Sequence, residues 1–90
     1  AYLLVLEGPD VDRRIELDTN KTLILGRSPR CSVVLRDRET SRRHAEISFS
    51  GGVFTIHDLG SSNGTNVNGN RIEYVNLNDR DRLRIGKNLM

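Results

Sequence analysis

The ninety-residue chain has little of what usually announces a chemistry. Its one cysteine, Cys31, excludes an internal disulfide, and a reducing, cytoplasmic setting is expected. No apolar run approaches the roughly eighteen residues of a membrane span. The opening run Tyr2–Leu6 is short and has no basic flank, so it does not read as a signal peptide. The four aromatic residues, Tyr2, Phe49, Phe54 and Tyr74, are scattered, which argues against a base-stacking platform for nucleic acid. Ser41, His44, His57 and Asp58 come without a G-x-S-x-G elbow. Two histidines and one cysteine give no zinc spacing. Gly86-Lys87 lacks the upstream glycine and the Ser/Thr of a P-loop. No enzyme activity, metal or cofactor is therefore expected.

Charge is also scarce in sum: the net is +2. Its distribution is uneven. Six arginines lie between Arg27 and Arg43 against Asp37 and Glu39, while the rest of the chain is balanced or acidic. Twelve of the fourteen basic residues are arginine, whose planar fork grips a phosphate or carboxylate through two hydrogen bonds.

What the chain does have is alternation. "HAEISFS" puts Ala45, Ile47 and Phe49 on one face, and "VFTIHDL" puts Phe54 and Ile56 together. Gly51-Gly52 between them reads as a hairpin turn. "RIEL" and "RLRIG" alternate likewise, and "TLILG" and "SVVL" read as buried strands. Turn signals recur about every 8–12 residues, the mark of an all-β sandwich or barrel. Helical periodicity is thin, and one short turn within "RIEYVNLNDRDRL" is the most it allows. The expectation is one domain over residues 1–90, a β-sandwich of two mostly antiparallel twisted sheets with functional loops at one end, cut from a longer protein.

Three polar stretches interrupt the strands: "GRSPR" (Gly26 to Arg30), "RETSRRH" (Arg38 to His44) and "GSSNGTNVNG" (Gly60 to Gly69). Together they supply guanidinium, hydroxyl, amide and glycine backbone donors, the groups that satisfy phosphate oxygens. Gly26-Arg27, the S-x-x-H pattern Ser41 to His44, Asn63-Gly64-Thr65 and Val67-Asn68-Gly69, in this order, resemble the forkhead-associated (FHA) domain family from about Leu3 to Gly86.

The resemblance implies an eleven-stranded sandwich that binds phosphothreonine peptides through loops at one end. It implies that Arg27 grips the phosphate, that Ser41 bonds it through its hydroxyl, and that Arg42 adds a contact. Ser62, Asn63 and Asn68 are expected near the peptide. Gly26, His44, Gly64 and Thr65 are expected to shape the loops. Two departures stand out. Glu39 occupies a position where some members carry arginine, which bears on ligand selectivity together with Arg30. Only Lys87 to Met90 follow the "RIG" segment, so the last strand is expected to be short. The implied partner is a protein phosphorylated by a Ser/Thr kinase, with no membrane role. Phosphate-independent protein interaction is the alternative, and nucleic-acid binding a weaker third.

Overall fold

The computed structural model describes residues 1–90 and contains eleven strands and no helix: β1 (Tyr2–Leu4), β2 (Arg14–Glu16), β3 (Leu23–Gly26), β4 (Val33–Val34), β5 (Ala45–Ser50), β6 (Val53–Asp58), β7 (Thr65–Val67), β8 (Asn70–Ile72), β9 (Tyr74–Asn76), β10 (Leu83–Ile85) and β11 (Asn88–Leu89). One sheet has the order β4-β3-β5-β6-β9 and another β11-β10-β7-β8, with β1 and β2 forming a hairpin. The hairpin extends the second sheet: the Leu6 and Glu7 N–H groups both reach the Leu89 carbonyl, and the Leu89 N–H returns to Glu7. Two residues facing one is a β-bulge, which bends the strand at that seam. The result is two packed layers, antiparallel except for the β3–β4 pair.

The alternating residues do what their period requires. Ala45, Ile47 and Ile56 are buried between the layers, and the opposed Phe49 and Phe54 rings meet edge-on at 4.8 Å. Leu25, Leu83 and Ile85 complete the centre of the core and are fully buried. Each such side chain contributes about 1.5–3 kcal/mol relative to exposure.

Gly51 and Gly52 both have positive φ and close β5–β6 as a two-residue hairpin. Asn68 and Gly69, at φ 52° and 83°, do the same for β7–β8. Beyond Gly86, β11 pairs with β10, and buried Met90 exchanges two backbone hydrogen bonds with Leu83.

The segment where a helical turn was expected holds strands instead. β8 lies in one sheet and β9 in the other, so the chain changes layers at Glu73. A change of layer resets which side chains face inward. That is why Ile72, Val75 and Leu77 follow neither helical nor strand period.

Candidate functional site

Four connections gather at one end of the sandwich: β3–β4, β4–β5, β6–β7 and the β10–β11 turn. Gly26 begins the arrangement. It is buried, and a Cβ there would overlap the Arg42 carbonyl oxygen. That carbonyl accepts the Ser28 N–H at 3.1 Å and the Cys31 thiol at 3.1 Å. The first two loops are thereby pressed together along their backbones. The Arg27 N–H donates to the Ser41 carbonyl at 3.0 Å, and Arg27 Nε donates to the Thr40 carbonyl at 3.2 Å. These bonds aim the guanidinium over the Ser41 segment while its two terminal nitrogens keep their hydrogens free.

His44 ties this pair to the third loop. It is completely buried. Its Nδ1 accepts the Ser41 N–H at 3.0 Å, and its Nε2 lies 2.8 Å from the Gly64 carbonyl. A carbonyl only accepts, so Nε2 carries the proton and the tautomer is fixed. Because Nδ1 meets the Ser41 backbone rather than its hydroxyl, the ring braces the loops. Ser41 Oγ accepts the Ser62 N–H at 3.0 Å, which leaves its own O–H available to an incoming acceptor. Asn63 Nδ2 donates to the Glu39 carbonyl at 2.9 Å, leaving Oδ1 free. Arg30, Arg42 and Ser62 are exposed at this end. Glu39 is exposed too, and its backbone holds Asn63.

Two aspartates organise the loops from beneath. Asp58 Oδ1 accepts the hydroxyls of Ser61 at 2.5 Å and Thr65 at 2.7 Å, and its Oδ2 accepts the Gly60 and Ser61 N–H groups. Burial pushes the Asp58 carboxyl upward. The Ser61 and Thr65 hydroxyls and the Ser61 N–H outweigh this and hold it below its ordinary value of 3.8. Buried Asp37 accepts the Glu39 N–H at 3.0 Å and the Lys87 N–H at 2.5 Å, fixing the second loop to the β10–β11 turn. Sequence reasoning missed both roles. The signal was there, since an Asp bonding N–H groups two or three residues on is the Asx pattern of "DLGS" and "DRE".

Arg27, Ser41, Arg42, Ser62 and Asn63 are thus brought to one end, with Gly26, His44, Gly64 and Thr65 shaping it. Asn68 is not brought there. It sits at the far end of β7, about 10 Å of strand away. Its side chain is used up in the β7–β8 turn, where Nδ2 donates to Asp81 at 2.9 Å and Oδ1 accepts the Arg82 N–H at 2.9 Å. "VNG" repeats the Asn-Gly of "SNG", but the strand between them separates the two ends.

A two-layer β-sandwich with polar, cation-rich loops braced at one end defines a loop-presenting recognition domain. The family model described as FHA domain matches residues 23–86, and this chain belongs to that family. It is similar to the glycogen accumulation regulator GarA of Mycolicibacterium smegmatis, with 41% identity across 97% of this chain and 54% of the relative. The chain therefore spans about half the length of that curated relative. It is also similar to the solved structure of Mycobacterium tuberculosis EmbR in complex with a low-affinity phosphopeptide (33% identity, TM-score 0.84, covering 98% of this chain and 22% of that one). A structure from work on phosphothreonine-dependent FHA domain interactions matches at 31% identity and TM-score 0.85, covering 99% of this chain and 92% of that one. No helix is long and apolar enough to cross a membrane.

Proposed function

We propose that this domain is a non-enzymatic module that binds phosphothreonine-containing segments of intracellular partner proteins, products of a Ser/Thr kinase, within a larger regulatory protein. One observation carries the reading: the Arg27 guanidinium and the Ser41 hydroxyl are set side by side by the Arg27–Ser41 backbone bond, each with donor hydrogens unused. A phosphate carries about −1.5 to −2 charge and three strong acceptor oxygens. Each charge-assisted hydrogen bond to it contributes roughly 1.5–3 kcal/mol. Arg27, Ser41 and Arg42 together then separate phosphorylated from bare peptide by several kcal/mol. Ser62 and Asn63 face the peptide from the third loop, with Asn63 Oδ1 open to a backbone N–H. The preference for threonine over serine rests on one methyl group, worth about 1–3 kcal/mol in an apolar pocket.

The test is isothermal titration of a phosphothreonine peptide library and its unphosphorylated copy into the domain and into Arg27→Ala. Binding only to phosphorylated peptides, lost in the folded variant, is the expected result. Equal binding of both libraries supports a phosphate-independent interaction domain instead. Unchanged affinity in the variant removes Arg27 from the site.

A further inference from the structure

The β4–β5 loop is held along its backbone. The Arg36 N–H donates to Asp10 Oδ2 at 2.9 Å, and the Glu39 N–H to Asp37 Oδ1 at 3.0 Å. The Thr40 N–H donates to the Asp37 carbonyl at 3.1 Å, and the Ser41 N–H to His44 Nδ1 at 3.0 Å. Held this way, the loop turns three successive carbonyls, those of Glu39, Thr40 and Ser41, toward Asn63 Nδ2, Arg27 Nε and the Arg27 N–H. Its backbone therefore sets where Arg27, Ser41 and Asn63 stand. Two of the anchors, Asp37 and His44, adjoin the carbonyls they orient. The third, Asp10, comes from the β1–β2 connection, 26 residues from Arg36 in the chain.

Asp10 is built into this place. It is buried, as is Asn88, which grips it at two points. The Asp10 N–H donates to Asn88 Oδ1 at 3.0 Å, and Asn88 Nδ2 donates to Asp10 Oδ2 at 2.9 Å. Arg13 Nη1 lies 3.5 Å from Asp10 Oδ1 and also donates to the carbonyl of Val34, the last residue of β4. A buried carboxylate is costly unless paired and hydrogen-bonded, and here one of its bonds holds the root of the loop.

We infer that Asp10 is a positioning residue for the phosphopeptide site. Acting through the Arg36 N–H, it keeps the β4–β5 loop ordered before the ligand arrives, and Asn88 sets the direction of its carboxylate. This role rests on the phosphopeptide reading above. A loop that has lost an anchor must be ordered at the moment of binding, and that cost weakens affinity.

Two variants separate the bonds, Asp10→Ala and the reciprocal pair Asp10→Asn/Asn88→Asp. An amide at position 10 offers one oxygen and one NH2 where the carboxylate offered two oxygens. Its NH2, turned toward a carboxylate at position 88, remakes the bridge between the two positions and no longer accepts the Arg36 N–H. Calorimetry uses the tightest-binding phosphothreonine peptide of the library, at a temperature where circular dichroism shows each protein folded. Amide hydrogen exchange of the free proteins reads Arg36, Glu39, Thr40 and Ser41. The expected result is about tenfold weaker binding in both variants, with faster exchange at those amides. The reciprocal pair is expected to melt closer to the parent than Asp10→Ala does. Affinity within about twofold of the parent in the reciprocal pair overturns the positioning role, because loss of stability alone does not weaken binding by a protein that is still folded. Exchange that is unchanged at the loop, or that rises equally in every strand, overturns it too. If Asp10→Ala does not fold, the reciprocal pair decides. If no peptide binds the parent, the phosphopeptide reading itself falls, and exchange still decides whether Asp10 holds the loop.

Discussion

Replacing His44 by leucine removes the brace between the second and third loops. The ring is completely buried and makes two hydrogen bonds, from the Ser41 N–H and to the Gly64 carbonyl. Leucine fills much of the same volume but satisfies neither partner. An unpaired buried backbone group costs about 1–3 kcal/mol. The two together, reduced by the apolar gain of leucine, come to about 2–4 kcal/mol, a large share of the roughly 5–15 kcal/mol that stabilises a domain. For a chain of this size that lowers the melting temperature by roughly 10–25 °C. Thermal denaturation followed by circular dichroism reads the first effect. Titration of a phosphothreonine peptide at a temperature where the variant is folded reads the second, a loss of affinity, because the Ser41 backbone is no longer tied to Gly64 of the third loop. A variant that melts within about 4 °C of the parent refutes the bracing role.

Acid should destabilise the domain in part through Asp58. Its folded value is depressed, so its contribution is present above the ordinary carboxylate value and is lost as pH falls through the lowered one. Denaturant titrations below about pH 4 should therefore show a shallower pH dependence in Asp58→Asn than in the parent, and identical slopes remove Asp58 as the source. Asn68→Ala should leave phosphopeptide affinity unchanged while costing about 1–2 kcal/mol, from lost side-chain bonds and positive φ at a non-glycine position. A large affinity loss with unchanged stability would return Asn68 to the binding surface. Arg27→Ala should do the reverse, abolishing measurable phosphopeptide binding with little change in melting temperature, because the Arg27 side chain is exposed.

The sequence by itself determined the fold class and most of the loop end. Alternation over Ala45–Ser50 and Val53–Asp58 suffices for a two-layer core, since a period of two buries one face of each strand. Gly51-Gly52 and Asn68-Gly69 specified their hairpins because few residues accept positive φ. Arg27, Ser41 and Asn63 were among the donors that the polar loops offered, and the resemblance to the FHA family singled them out. Tertiary structure alone decided which polar residues meet. Asn63 and Asn68 look alike in the chain, yet three strand residues carry one to the Ser41 loop and the other to Asp81. The crossover at Glu73 was invisible because a change of layer breaks the period that sequence reading relies on. Asp37 and Asp58 read as ordinary charges until packing turned their carboxylates toward backbone N–H groups. Periodicity is a local property that a sequence carries, whereas convergence of side chains from distant loops depends on how the layers stack, and only the folded chain contains that.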